Sequence, residues 1–319
     1  MAKVTQLPFE KSIYEIEAKI EELKQLSEES GIDLTTKIEP LIARSEEIKK
    51  NLYANLKPYE RIQIARHAMR PTFLDYVKHI TTDWLELHGD RAGTDDRAII
   101  GGVARIDGTP VVLVGTQKGK TTKENLEYNF GMPQPEGYRK ALRLFKHAER
   151  FDLPIVTIID TPGAYPGIKA EENGQGGAIA ENLLEMAKLK VPVIAIITGE
   201  GCSGGALGLA VANKVYMLEN AYYTVITPEG CASILWSDAA YADKAAEALR
   251  ITADFLLESK IIDGVIKEPL GGAHYEPDVA FANMKEMIIK GLNELGKLSE
   301  DELIETRYEK YRAMGELNG

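Results

Sequence analysis

The sequence predicts an α/β fold built on a parallel sheet, because strand-like apolar runs alternate with amphipathic helical stretches. Two of these runs, "IVTIID" from Ile155 and "VPVIAIIT" from Val191, are continuously apolar, which is typical of strands buried on both faces. A helical stretch separates them, so we expect a βαβ unit with a right-handed crossover. Each run leads into a glycine-containing segment. Functional groups of parallel sheets lie at such carboxyl ends, which makes these two segments the first candidates for a site.

Residues 10 to about 56 predict two helices joined by a short turn. Apolar residues recur at steps of three and four on both sides of the break "SGID", which begins at Ser30. This pattern is typical of an αα-hairpin. Its apolar stripes are narrow, so we expect residues 1–56 to form a helical extension that packs on a neighbouring domain or subunit.

The next elements are predicted in chain order from proline and glycine positions. A further helical stretch is expected to about residue 88, with breaks at Pro58 and Pro71. Two β-rich runs then flank Asp107-Gly108, a dipeptide that favours a tight hairpin turn. The stretch "PEGYRKALRLFKHAERFDLP" predicts a helix that Pro154 ends.

The C-terminal third predicts short strands followed by helices. Strands are expected at "KVYML" and "YYTVIT", and helices at about 240–258 and 278–295. Ser299 and Glu302 form a capping box, which predicts the start of a last polar helix to about Met314. We therefore expect one large domain over residues 57–295 and a C-terminal helix over residues 296–319.

Composition excludes several classes of function. The 319 residues carry 38 basic and 49 acidic side chains, a net charge of −11, which disfavours broad nucleic-acid or membrane-surface binding. Neither an apolar signal-peptide segment nor a membrane-spanning run occurs in the sequence, so we expect a cytoplasmic protein. Cys202 and Cys231 are too few for a disulfide framework or a structural zinc site within this chain. Lys118, Lys120 and Lys123 form a local basic patch, more typical of a solvated loop than of a phosphate contact.

The segment "GEGCSGG" first suggests a nucleophile. Residues 201–205 match G-x-S-x-G, the nucleophile elbow of serine hydrolases, with Ser203 at its centre. A hydrolase also needs a histidine base and an orienting acid. His274 is the only histidine after Ser203, and Asp278 would be its acid, but the context of His274 is not typical of such a base. Cys202 as a nucleophile also lacks an evident histidine partner. The serine hydrolase is therefore the weaker hypothesis.

The favoured hypothesis uses backbone amides instead of a side chain. Gly204 and Gly205 stand where a strand meets a helix, so their N–H groups point outward and no Cβ blocks a ligand. Two such donors aimed at one oxygen form an oxyanion hole. Ala206 follows them, and Gly163 and Ala164 offer donors from the adjacent segment. The alternative is that these glycines serve only close packing of helix on strand.

Six segments, in order, resemble the α-subunit family of bacterial acetyl-coenzyme A carboxylase carboxyltransferases. They are "ELHGDRAGTDDRAIIGGVARIDG", "NFGMPQPEGYRKALRLFKHAERF", "TIIDTPGAYPG", "GEGCSGGALGL", "VITPEGCASILW" and "EPLGGAH". The resemblance covers roughly residues 5 to 318. It implies a crotonase-like (ClpP/crotonase) ββα superhelix with an N-terminal helical extension. It also implies an α2β2 complex in which the β subunit carries a zinc ribbon and most of the acetyl-CoA site.

The same resemblance implies a reaction. A carboxyl group passes from carboxybiotin, held on a biotin carboxyl carrier protein and loaded by biotin carboxylase, to acetyl-CoA, and malonyl-CoA for fatty acid synthesis results. Metal is expected only on the β subunit. Cys202 departs from the family pattern, where a smaller residue such as glycine is common. The residues implied for the biotin oxyanion hole are Gly204, Gly205 and Ala206, and those implied for substrate binding are Gly163, Ala164, Tyr165 and Gly230.

Two other classes of function stay open at this stage. One is another crotonase-fold acyl-CoA enzyme, such as a hydratase, in which Glu200 or Glu229 would supply the acidic side chain. The other is a subunit with only a scaffolding role.

Overall fold

The structure is a computed structural model and describes residues 6–315. The strands, in chain order, are β1 Thr82–Glu86, β2 Ile99–Ile106, β3 Thr109–Thr116, β4 Ile155–Thr161, β5 Val193–Cys202, β6 Lys214–Leu218, β7 Tyr222–Thr224 and β8 Gly264–Ile266. The helices, in chain order, are α1 Lys11–Ser30, α2 Thr35–Ala54, α3 Pro58–Ala65, α4 Phe73–Ile80, α5 Thr122–Glu127, α6 Pro135–Arg150, α7 Ile168–Glu172, α8 Gln175–Lys188, α9 Ser203–Leu207, α10 Pro228–Trp236, α11 Ala242–Leu249, α12 Ala253–Glu258, α13 Pro277–Leu295 and α14 Glu300–Arg312.

The strands form one mixed sheet in the order β1-β2-β3-β4-β5-β6-β8, with β7 beside the end of β5. The first three strands pair antiparallel, and β3 to β8 pair parallel. The hairpin predicted around Asp107-Gly108 is confirmed as the β2–β3 turn. Both residues have positive φ, 50° and 81°, as a two-residue turn that matches the strand twist requires.

Helices cover both faces of the sheet. Gly101 faces Leu144 of α6, and Gly115, which has the opposite orientation in the paired strand, faces Phe73 of α4. Every residue of β5 is buried, as its continuous apolar run predicts. The parallel strands therefore lie in the core, and their carboxyl ends open toward the surface.

The N-terminal hairpin is confirmed, since α1 and α2 are separated only by residues 31–34. The carboxylate of buried Glu10 ties it together by accepting hydrogen bonds from the hydroxyls of Tyr14 (2.8 Å) and Tyr53 (2.7 Å). The Tyr14 hydroxyl lies 2.9 Å from that of Tyr275, so the hairpin is also tied to the region between β8 and α13. The division into residues 1–56, 57–295 and 296–319 stays a prediction.

Several element predictions are wrong. The helical stretch expected to residue 88 ends at Ile80, and β1 follows as an exposed edge strand too short to show an alternating pattern. The helix expected over 240–258 is two helices, separated near Arg250, which has φ 51°. The sequence also failed to reveal α5, α7 and β8, which are three to six residues long.

The glycine segment after "VPVIAIIT" joins a strand directly to a short helix. β5 continues through it to Cys202, and α9 begins at Ser203 without an intervening loop. The helix that contains Gly204 and Gly205 is only five residues long. The candidate amides therefore stand directly on the end of a central strand.

Candidate active site

Two backbone segments meet at the carboxyl ends of β4 and β5. These strands are neighbours, and Thr161 stands opposite Gly201, so the chain leaves both strands at the same place. A methyl group on Gly205 would lie 2.4 Å from the nitrogen of Ala164 and 2.5 Å from the carbonyl carbon of Gly163. Only glycine fits this approach, so the close-packing interpretation and the amide interpretation both apply to Gly205.

The hydrogen bonds decide which amides are free. The Gly163 N–H donates to Thr161 Oγ1 (3.1 Å), and the Tyr165 N–H donates to the Pro133 carbonyl (2.9 Å). The expectation that Gly163 offers a donor is therefore corrected. Between these two residues, the Ala164 N–H has no acceptor in the described part of the chain.

The second set of free amides belongs to the first turn of α9. The first four N–H groups of a helix have no intrahelical acceptor. Within residues 6–315, the amides of Gly204 and Gly205 also have none outside the helix. Ala206, which is buried like Gly205, lies one position deeper, where a helix N–H can find an intrahelical acceptor. The free donors beside the contact point are thus Ala164, Gly204 and Gly205.

An apolar groove of about 320 Å³ borders Gly204. Leu207, Tyr223 and Val225 contribute to its walls, and Val225 is 80% exposed. A methyl group on Gly204 itself would meet only Ile179, at 3.7 Å. A ligand with an apolar ring and a polar oxygen therefore finds space on this side of the amides.

Ser203 has no general base in hydrogen-bond contact among the described residues. Its φ of 62° is unusual for a non-glycine residue, as at a sharp strand-to-helix turn, but its hydroxyl makes no hydrogen bond to any described residue. His274 instead stacks on His67 with ring centroids 3.9 Å apart, and its ring nitrogens are buried without a partner among residues 6–315. Burial, together with His67 and Arg70, lowers the pKa of His274 to about 3. The geometry does not support a Ser–His pair.

A partly buried ionic cluster lies at the ends of the same strands. Lys118 Nζ lies 2.6 Å from Asp160 Oδ1 and 2.6 Å from Glu200 Oε2. Arg66 binds Glu200 (2.8 Å) and Glu229 (2.7 Å). Burial opposes ionisation of Glu200, but the attraction of Lys118 and Arg66 outweighs it and lowers the pKa of Glu200 to about 2. This carboxylate stays ionised near neutral pH, which makes it a poor general base.

The local sequence pattern did not reveal this cluster. It predicted a basic patch of Lys118, Lys120 and Lys123, whereas Lys118 points inward and Lys120 pairs with Asp75 (2.8 Å). The available signal was a set of charged residues at the ends of three neighbouring strands, Lys118 after β3, Asp160 in β4 and Glu200 in β5. Since such ends converge in a parallel sheet, their clustering was predictable, but their pairing was not.

Three further properties of the described residues bear on possible functions. No helix within residues 6–315 is long and apolar enough to cross a membrane. No group of three or more His, Cys, Asp and Glu side chains in that range suits a metal ion. Burial, followed by the charge of Glu200, raises the pKa of Cys202 to about 11, which keeps the thiol protonated and unreactive.

Comparison with known proteins places the chain among carboxyltransferases. A family model described as acetyl co-enzyme A carboxylase carboxyltransferase-like matches residues 6–315. The acetyl-coenzyme A carboxylase carboxyl transferase subunit alpha of Bacillus subtilis (strain 168) is 55% identical, over 98% of this chain and 96% of its own. The protein of the same name from Thermus thermophilus is 53% identical, over 97% of this chain and 98% of its own.

Solved structures share the fold at lower identity. A transcarboxylase 12S structure superposes with a TM-score of 0.57 at 21% identity, over 70% of this chain and 41% of that chain. The β subunit of P. aeruginosa geranyl-CoA carboxylase gives 0.56 at 14% identity, over 76% and 46%. This chain thus spans less than half the length of either structure. The likeness confirms the crotonase-like α/β fold.

Proposed function

Since the chain belongs to the α-subunit family of acetyl-coenzyme A carboxylase carboxyltransferases, we propose that its Ala164, Gly204 and Gly205 amides form the oxyanion hole for biotin. The chain is the α subunit of an enzyme that transfers a carboxyl group from carboxybiotin to acetyl-CoA and yields malonyl-CoA. The observation that carries the proposal is the backbone contact at Gly205, which brings free amides from two segments together.

The residues present fit the chemistry of biotin. A ureido oxygen accepts two or more hydrogen bonds, and two adjacent segments, Ala164 and the first turn of α9, hold free N–H groups. The fused rings are largely apolar, and the groove of Leu207, Tyr223 and Val225 borders the same amides. The chain therefore offers both polar donors and an apolar wall of the right kind.

The chain acts by stabilising charge. The Ala164, Gly204 and Gly205 amides would hold the ureido oxygen of carboxybiotin, which would supply the site of developing negative charge. Fixed amides stabilise such an oxygen without reorganising, and loss of one donor of this type typically lowers kcat by about 10²–10³. The two candidate acids, Glu200 and Glu229, are held in ion pairs with Arg66, so we assign neither a role as a general base.

The other predicted site residues would shape the cleft rather than donate to the oxyanion. Gly163 allows the approach of Gly205, and the Tyr165 ring packs on Gly167. The Gly230 N–H is engaged with Thr227 Oγ1 (3.2 Å), which caps α10. We propose that Gly163, Tyr165 and Gly230 contribute space and contact surface for the substrates.

The enzyme works with a β subunit. We propose an α2β2 assembly in the cytoplasm that receives carboxybiotin from a biotin carboxyl carrier protein, which biotin carboxylase loads. In this assembly the β subunit would carry the zinc ribbon and most of the acetyl-CoA site. The family of the chain supports this proposal. The three free amides of this chain suit one oxyanion, which leaves most of the acetyl-CoA site to the β subunit.

Reconstitution tests the proposed function. We expect the chain mixed with its β subunit to transfer carboxyl groups between malonyl-CoA and biotin, and the chain alone to be inactive. The measurement is a carboxyl-transfer assay with and without the β subunit. Enoyl-CoA hydration by the isolated chain would instead favour a hydratase, and inactivity of the mixture would contradict the proposal.

We propose that the β subunit covers the apolar surface that begins at the groove. Val225 in the groove wall is exposed, and Ile234 and Leu235 in the last turn of α10 are 74% and 61% exposed. Exposed apolar side chains in such numbers mark an interaction surface. Ile234→Asp should weaken binding of the β subunit at least tenfold, because association would then bury a charge.

The matched control is Phe151→Asp. Phe151 is 56% exposed but precedes the amino end of β4, the opposite edge of the sheet from α9. Sedimentation of the mixed subunits measures the affinity of each variant for the β subunit. Equal affinities for the two would contradict the assigned surface.

A further inference from the structure

We infer that Lys118 is a positioning residue that holds the two amide segments in register, an inference that rests on the proposed function. Its ammonium group bridges Asp160 and Glu200 at 2.6 Å each. Asp160 stands four residues before Ala164, and Glu200 stands four residues before Gly204. One cation therefore links the strand ends from which both sets of free amides emerge.

The bridge lies on an irregularity of the sheet. Ile159 stands opposite Ile197, but Thr161 stands opposite Gly201, so β5 carries two extra residues here. The Asp160 carboxylate fills the gap by accepting from the Glu200 N–H (2.8 Å). A β-bulge redirects its strand, and this one decides where α9 begins. Asp160 therefore controls the direction of the chain into Gly204.

The end of β5 is held on its other side as well. Beyond the bulge, residues 200–202 pair with β7, whereas residues 194–197 pair with β6. Glu200 Oε1 accepts from Arg66 Nε (2.8 Å) and from the hydroxyl of Tyr222. Asp160 has no comparable second cation in hydrogen-bond contact within the described chain. Neutralisation of its negative charge therefore depends on Lys118.

Loss of the Lys118 charge would leave two mostly buried carboxylates side by side. The side chains of Asp160 and Glu200 are only 13% and 9% exposed. Like charges in such a setting repel strongly, since water screens them little. The repulsion acts across the β4–β5 pair and would separate Ala164 from Gly205.

An alternative role for Lys118, direct binding of a substrate anion, explains its contacts with Asp160 and Glu200 less well than the positioning role does. Lys118 lines a cavity of about 300 Å³ together with Arg66 and Phe130. Its charge is already offset by two carboxylates, and their attraction outweighs burial and raises the pKa of Lys118. An anion would have to displace these partners, so the geometry points to an internal structural bridge.

Lys118→Met in the full chain, assayed with its β subunit, tests the inference. We expect kcat to fall about 10- to 100-fold, with the KM for malonyl-CoA unchanged within about twofold. The double variant Lys118→Met/Asp160→Asn should recover at least about tenfold in kcat, because Asn keeps an acceptor for the Glu200 N–H without the charge. Lys120→Met is the control on the same segment and should match the wild-type protein.

Hydrogen exchange provides a readout that does not depend on activity. Peptides over residues 161–167 and 202–208 should exchange at least tenfold faster in Lys118→Met, and at the wild-type rate in Lys120→Met. Unchanged exchange and kcat in Lys118→Met would overturn the inference, as would a raised KM at unchanged kcat. An inactive wild-type complex would overturn the proposed function instead, while the exchange data would still test the bridge.

Discussion

Gly205→Val should lower carboxyl transfer by at least about 10²–10³-fold, the typical cost of losing an oxyanion donor. The new side chain begins 2.4 Å from the Ala164 nitrogen and 2.5 Å from the Gly163 carbonyl carbon, which are backbone atoms that cannot rotate away. One of the two segments must move, which would disrupt the arrangement of the Ala164 and Gly205 amides that we propose for the oxyanion. The assay is carboxyl transfer by the variant assembled with its β subunit.

Ser203→Ala is the matched control for this loss. It lies two residues away and removes a hydroxyl without hydrogen bonds to described residues, so its kcat should equal that of the wild-type protein within about twofold. Gly205→Val should cost only about 1–3 kcal/mol of unfolding free energy, the usual cost of overpacking, and should still bind the β subunit. Full activity of Gly205→Val would refute the amide site. A folded but inactive Ser203→Ala variant would revive the nucleophile hypothesis.

Arg70→Met should lower the free energy of unfolding by about 3–5 kcal/mol, the typical cost of breaking a buried ion pair from one side. Arg70 binds Glu268 through two nitrogens (2.8 and 2.6 Å), and its Nε donates to the Thr198 carbonyl (2.6 Å). The side chains are 3% and 0% exposed. Glu268 would be left as a buried charge without its cation, and equilibrium urea unfolding measures the loss.

The pH dependence of this loss has a definite sign. Burial opposes ionisation of Glu268, but Arg70 outweighs it and holds the pKa of Glu268 below its usual range. The pair therefore stabilises the wild-type protein above the unfolded-state pKa of about 4.3, and this stability is lost as pH falls through the lowered folded-state pKa. Without Arg70, burial favours the protonated acid, so the penalty of the variant should shrink as pH falls from 7 to 5.

Lys267, which precedes Glu268 in the chain, supplies the control for Arg70. Lys267 pairs with Glu219 at 2.8 Å, but its side chain is 69% exposed. Lys267→Met should change the free energy of unfolding by less than about 1 kcal/mol, because solvent screens an exposed pair. Equal losses in Arg70→Met and Lys267→Met would contradict the role given to burial.

Much of the fold, and the position of the candidate site in it, followed from local patterns in the sequence. The continuous apolar runs identified β4 and β5, Asp107-Gly108 identified the β2–β3 turn, and the glycines after β5 identified Gly204 and Gly205. Each of these signals lies within one segment, because periodicity and glycine placement express the local backbone and its burial. The edge strand β1 escaped notice because only its pairing with the distant β2 makes it a strand.

The sequence by itself determined where the candidate site lies, namely at the carboxyl ends of two neighbouring parallel strands. Only the tertiary structure decided which groups are free to act there. Pro133 occupies the amide of Tyr165, and Lys118 reaches Asp160 and Glu200 across 42 and 82 residues of chain. Hydrogen bonds and ion pairs between such distant positions depend on how strands are brought together, and residue spacing along the chain does not encode them.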